Sequence, residues 1–248
     1  MFSTKEFRAW AKKNVVLFAS IMTRIQGRKE DDLLSKYGFR GFPSLALLDA
    51  NGEMITKKVS RDLPSMKAIV HSAAKYAKLK AQVDAGEDVD KAEWLMARMG
   101  MGMLSVEEAK EAMAEIELSD AQADKMDTML LALEIESMLQ AARSRSPEAK
   151  SHPAKIYKMW KSNRRLPKGH GLEAFYMSML FQEAEKQNDA EAWTAAFPFI
   201  ERQLQSQLKR FESFRNRVRE DQKDRLEKAI ESMKNRLKAL RKKAAQYK

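Results

Sequence analysis

Over the first eighty residues the spacing of apolar and polar positions changes several times, and each change predicts an element. Ser3, followed by Glu6, has a capping-box pattern, and Phe2 and Phe7 occupy hydrophobic-staple positions, so a helix is predicted through Phe7 and Trp10 to about Lys13. Val15, Val16, Leu17 and Phe18 then form an unbroken apolar run, which predicts a buried strand over Val15 to Ser20. After a basic stretch through Gly27 and Arg28, a short helix is predicted from about Lys29, carrying Leu33 and Leu34 and closing at Gly38. Leu45 to Leu48 predict a second strand, Asp49-Ala50-Asn51-Gly52 a hairpin turn, and Glu53 to Thr56 the return strand. Pro64, suited to a first turn, opens an amphipathic helix.

From about Lys67 onward strand alternation disappears and helical spacing takes over. Ser105 with Glu108 and Ser119 with Gln122 are two further capping-box patterns, each ahead of apolar residues at helical spacing. Gly86, Gly100, Gly102, Pro147, Pro153, Pro167, Gly169 and Gly171 punctuate the segments, so helical hairpins are expected. No clean 34-residue period runs through them, which leaves an irregular helical array and not a tetratricopeptide repeat. In the tail, Leu204, Leu208, Phe211, Phe214 and Val218 share one heptad-like register. Leu226, Ile230, Met233, Leu237 and Leu240 share another, a pattern that fits one long helix with a stutter.

The expected fold class is therefore mixed, α+β or α/β: a partial α/β domain over residues 1–80, a helical array over 81–200, and a long basic helix over 201–248. That last helix could form a coiled coil, and a homodimer through it is one reading.

Composition narrows the chemistry. At 248 residues and 44% hydrophobic content the chain can bury a core. No run of about eighteen apolar residues occurs, and Met1 to Ser20 lacks the order of a signal peptide. A soluble protein is expected, cytoplasmic as the sequence stands, or of the cell envelope if a signal peptide is encoded upstream. The chain contains no cysteine, which removes disulfides, a thiolate nucleophile and cysteine-ligated metal. No cofactor is implied, and the expectation is that the chain is not an enzyme.

Candidate chemistry elsewhere is sparse. Met96, Met99, Met101 and Met103 offer soft thioethers for copper(I), against the alternative that they pack a helix face and a glycine turn. His71, His152 and His170 are scattered without ligand or triad spacing. Asp84, Glu87, Asp88 and Asp90 lack the alternation and closing glutamate of a calcium loop and read as a polar linker that caps the next helix. Lys168-Gly169-His170-Gly171 reads as a turn, without phosphate-loop spacing.

Charge is concentrated at the end of the chain. Residues 201–248 hold 16 Lys and Arg against 7 Asp and Glu, nine of the net +11. Arg215, Arg217, Arg219, Lys238, Arg241, Lys242 and Lys243 could neutralise phosphates or rest on an anionic membrane. The interleaved acids weigh against nucleic acid and favour a solvated helix face, and no finger, recognition helix or stacking platform accompanies the cations.

One segment carries a family resemblance. Tyr37-Gly38-Phe39-Arg40-Gly41-Phe42-Pro43-Ser44-Leu45, followed by Leu48-Asp49-Ala50-Asn51-Gly52-Glu53, resembles the thioredoxin-superfamily stretch where a glycine, a bulky residue and a cis-proline open a strand ending in an Asp-x-x-Gly hairpin. Phe2 to Ala11 is similar to the helix that follows the Cys-x-x-Cys motif in bacterial thioredoxin-like proteins, and Leu104 to Gln122 is weakly similar to the helical region trailing that domain in some of them.

The resemblance implies that Pro43 stands at the family's cis-proline and Phe42 at the residue whose backbone pairs with an extended substrate. Gly41, Phe42, Pro43 and Ser44 become the candidate binding loop. It also implies that the first strands and the cysteine pair would lie before residue 1, so a central strand is missing. The strand over Val15 to Ser20 should then pair directly with Ser44 to Leu48 or keep an open edge.

The functional expectation is a non-catalytic thioredoxin-fold protein that binds a protein partner or extended peptide. Two rivals stand beside it: a thiol-disulfide oxidoreductase whose cysteines lie upstream of Met1, and a basic helical protein that binds nucleic acid.

Overall fold

The computed structural model describes residues 1–20, 26–27, 32–39, 41–167, 170–215 and 217–247. Among them lie ten α-helices, one 3-10 turn and one two-stranded sheet. The chain divides into two compact units, Met1–Leu130 and Leu131–Lys248.

The N-terminal unit opens with α1 (Lys5–Asn14), one residue out of the expected phase. Its N-cap is Thr4 and not Ser3: the Thr4 hydroxyl accepts a hydrogen bond from the Phe7 amide at 3.2 Å. The expected staple is present, with the Phe2 and Phe7 rings edge to face at 5.1 Å. Phe7 and Ala11 bury themselves against Leu63 and Met66, with Leu45 and Val59 at the margin.

Next come α2 (Leu33–Lys36), β1 (Leu47–Leu48) and β2 (Met54–Thr56). Residues 28–31, where the short helix was expected to begin, are outside the described residues, as is Arg40. The strands pair antiparallel, Leu47 with Thr56 and Leu48 with Met54. The turn forms where expected. The Asp49 carboxylate accepts from the amides of Asn51 and Glu53 at 2.9 and 2.8 Å, and Gly52, at φ 79°, supplies the left-handed residue.

The expected thioredoxin-like α/β domain does not form. Among the described residues the sheet has two strands only, and the fold is predominantly all-α. Residues 15–20 are not a strand and do not pair with Ser44 to Leu48. Val15 is extended, but its amide bonds to the Ala11 carbonyl as the cap of α1, and Val16 is 98% exposed. An apolar run becomes a buried strand only where a sheet edge pairs with it and its faces are covered, and among the described residues no strand pairs with this run. The apolar surface of this unit is buried by helices instead.

Those helices are α3 (Leu63–Asp84), α4 (Lys91–Met101), α5 (Val106–Ala114) and α6 (Asp120–Arg143), the last crossing the unit boundary. Pro64 lies in the first turn of α3, which Asp62 caps by accepting from the Ser65 amide. That hydrogen bond, with one from the Ser65 hydroxyl, lowers the Asp62 pKa. Ser105 and Glu108 form the full reciprocal box at the start of α5, at 3.2 and 2.7 Å. Ser119 and Gln122 form half of one: the Gln122 side chain accepts from the Ser119 amide and from its hydroxyl. Ser105→Ala is expected to cost about 1 kcal/mol of stability. Urea denaturation followed by circular dichroism measures it, and an unchanged midpoint would show that the box contributes nothing.

The C-terminal unit holds a 3-10 turn (Pro147–Ser151), then α7 (His152–Lys161), α8 (Glu173–Gln187), α9 (Ala190–Phe214) and α10 (Glu220–Gln246). Its core includes Ile135, Ile156, Trp160, Leu180, Trp193, Leu204 and Leu237. In place of one long helix over 201–248, α9 and α10 fold back on each other. Glu201 pairs with Arg241, Glu212 with Lys234 and Arg215 with Glu227, so the two helices run antiparallel. Leu204, Leu208, Phe211 and Phe214 of the first register belong to α9 and the whole second register to α10, while Val218 falls in the break between them.

Candidate functional site

The loop Gly41-Phe42-Pro43-Ser44 leads into β1. The Phe42–Pro43 peptide bond is cis, and Phe42 projects with 66% of its surface exposed. The Arg61 guanidinium donates to the Pro43 carbonyl, and the Ser44 hydroxyl donates to the Gly41 carbonyl.

Beside the hairpin lies an open cavity of about 460 Å³ lined by Phe18, Asp32, Leu33, Lys36, Tyr37, Leu48 and Gly52. Phe18 comes from the stretch expected to be a strand and Leu48 from β1, so the cavity lies where these two segments were expected to pair. Tyr37 fixes one wall: its hydroxyl donates to the Gly52 carbonyl at 2.9 Å and ties the end of α2 to the hairpin turn. Val16, Leu17 and Phe18 all remain exposed, and among the described residues β1 pairs with no strand except β2. Leu33, Tyr37 and Leu48 were not singled out as site residues in the sequence. Their role depends on a gap in packing, which periodicity does not encode.

A second cavity, of about 380 Å³, is lined by Asp49, Asn51, Glu53, Tyr76, Lys80 and Asp84 among others. Lys80 and Asp84 pair at 2.5 Å, which raises the Lys80 pKa. No group of three or more histidine, aspartate or glutamate side chains among the described residues is arranged to hold a metal.

The other candidates resolve into structural parts. Met99 and Met101 are core residues, Met96 is half-buried and Met103 exposed. Asp90 caps α4 by accepting from the Glu93 amide at 2.7 Å. Lys168 and Gly169 lie outside the described residues. His71 is exposed, and His170 accepts from the Leu172 amide through Nδ1. His152 is buried and its Nδ1 has no hydrogen-bond partner among the described residues. Burial lowers the His152 pKa, the Lys155 charge lowers it further, and Glu148 opposes both. Burial likewise pushes the Tyr176 hydroxyl up to about 12, where it donates to the Arg164 carbonyl at 2.8 Å.

The arrangement beside β1 therefore offers a pocket lined by both apolar and charged side chains, a short sheet edge and exposed aromatic side chains. No helix among the described residues is long and apolar enough to cross a membrane. No protein-family model, no curated protein and no solved structure matches the chain.

Proposed function

We propose that the chain is a non-catalytic protein-interaction module whose N-terminal unit takes an extended segment of a protein partner beside β1. The observation that most supports this reading is the open cavity between Phe18 and Leu48, flanked by the exposed run Val16-Leu17-Phe18. An added strand gains affinity from main-chain hydrogen bonds to a sheet edge and specificity from pockets for alternate side chains. β1 supplies the edge, and Phe18, Leu33 and Tyr37 supply the pocket. Exposed Phe42 gives a second apolar contact in the turn entering that strand. The residues of that turn also support kinship of the Tyr37-to-Glu53 segment with the thioredoxin superfamily, a relation of the segment and not of the sheet. With no cysteine in the chain, thiol-disulfide exchange has no reacting atom here.

The test is an anisotropy titration of the full chain with labelled peptides of about ten residues that alternate valine and threonine, a strand-forming pattern. Binding is expected to weaken about tenfold or more in Phe18→Asp while the thermal unfolding midpoint stays put, since Phe18 is exposed. Absence of binding, or equal affinity in the variant, removes the proposal. The oxidoreductase rival is decided by the stretch encoded before Met1. An in-frame Trp-Cys-x-x-Cys in that stretch would favour the rival, and a stop codon would exclude it.

A further inference from the structure

We infer that the outer face of α10 is a docking surface for the phosphate backbone of a nucleic-acid duplex, separate from the site beside β1. The antiparallel pairing of α9 and α10 decides which cations of the tail are free. Arg215, Lys234 and Arg241 are held by Glu227, Glu212 and Glu201, and Lys243 lies over the Trp193 and Tyr247 rings. Arg225, Lys228, Arg236, Lys238 and Lys242 are exposed and form no ion pair with any described residue. The tail acids that weighed against this partner in the sequence are either spent on those pairs or lie in the first half of α10, because no acidic residue follows Glu231.

Lys228, Lys238 and Lys242 fall within an arc of about 80° opposite the apolar line of the helix; Asp224 and Glu231 share that arc on either side of Lys228 in sequence, and Arg225 and Arg236 lie together to one side of it. From Arg225 to Lys242 the row extends about 25 Å, at about 1.5 Å per residue. Cations that only complemented the helix dipole would cluster in the last turn, whereas these begin more than four turns before it.

The chemistry of the face selects the partner. Membrane-surface helices insert their apolar side, and in α10 that side is buried within this chain at Ile230, Leu237 and Leu240. Protein interfaces rely on aromatic or apolar anchors, and single-strand binders on stacking rings. Among the described residues α10 exposes no large hydrophobic side chain. A linear polyanion with regularly spaced charge requires neither and is matched by point charges alone.

The test uses the full chain with a labelled duplex of about twenty base pairs, as DNA in one arm and RNA in the other, across a salt series. Five phosphate contacts predict a slope of about −4.5 in log K against log salt, an affinity loss of about 500-fold between about 50 and about 200 mM. The triple variant Lys228→Gln/Lys238→Gln/Lys242→Gln should lose about 30-fold or more at the lower salt and flatten the slope by about 2.7, with an unchanged circular dichroism spectrum. Arginine at the same three positions should retain binding. Three results overturn the inference: no duplex binding at about 50 mM salt, wild-type slope and affinity in the glutamine variant, or tighter binding to anionic phosphatidylserine vesicles or polyglutamate than to duplex.

Discussion

Trp193→Ala is expected to destabilise the C-terminal unit by about 3–5 kcal/mol, the range for truncating a buried aromatic side chain. Trp193 is 1% exposed near the start of α9. Its indole stacks on Phe197 at 5.0 Å and meets Phe181 and Tyr247, each at 5.3 Å, while the Lys243 ammonium lies 5.4 Å from its centroid. These partners come from α8, α9 and the end of α10, so one truncation opens a cavity shared by three segments. Such cavities collapse poorly, which places the cost toward the upper end of the range. Trp193→Phe keeps most of the ring contact and should cost about 1–2 kcal/mol. Urea denaturation monitored by circular dichroism separates the two, and a loss below about 1 kcal/mol in the alanine variant would show that this cluster does not hold the unit together.

Asp189 should produce the second largest effect, and one that depends on pH. Its carboxylate caps α9 by accepting from the Ala192 amide at 3.0 Å and also accepts from the Tyr157 hydroxyl at 2.8 Å. Lys161 lies 2.5 Å away, and the Asp189 side chain is 12% exposed. Burial alone would raise this carboxyl. The hydrogen bonds from Lys161, Ala192 and Tyr157, with the Lys161 charge, outweigh burial and take it from 3.8 down to about 2.

A carboxyl depressed in the folded state stabilises fully above its unfolded value of 3.8, and that stabilisation is lost as pH falls through about 2. The displacement corresponds to about 2 kcal/mol. Asp189→Ala should therefore cost about 2–3 kcal/mol at pH 7, counting the lost cap, and distinctly less near pH 2. Comparing variant and wild-type denaturation midpoints at both pH values checks this, and a cost independent of pH would contradict it.

Local chemistry was the legible part of the fold. The box at Ser105 and Glu108, the turn at Asp49 to Gly52 and the proline start of α3 each depend on residues within four positions of one another, and each forms. What failed needed distant partners. Val15 to Phe18 has the composition of a strand, but whether a strand forms is settled by neighbours elsewhere in the chain, and among the described residues no strand pairs with it.

The tail shows the same division. Its two registers were visible, yet a stuttered helix and a folded-back pair share the same heptads. The usual breaker was no guide: Pro198 lies inside α9, while the break at 215–219 contains neither proline nor glycine. At the site, Phe42 and Pro43 were named from a resemblance. Leu33, Tyr37 and Leu48 acquire their role from an unfilled volume that only the folded chain reveals.

The ring cluster around Trp193 also bears on the order of events during synthesis. The core of the C-terminal unit draws on Leu131 at one end and packs Tyr247 at the other, so its full set of contacts closes only after residue 247 has been added. Phe7, Ala11, Leu63 and Met66 of the N-terminal unit come together from within the first seventy residues. That cluster can assemble while more than half of the chain is still being translated. A stalled or nicked product that lacks the last turn of α10 would emerge with its N-terminal cluster assembled and Trp193 uncovered on the side that Lys243 and Tyr247 otherwise occupy.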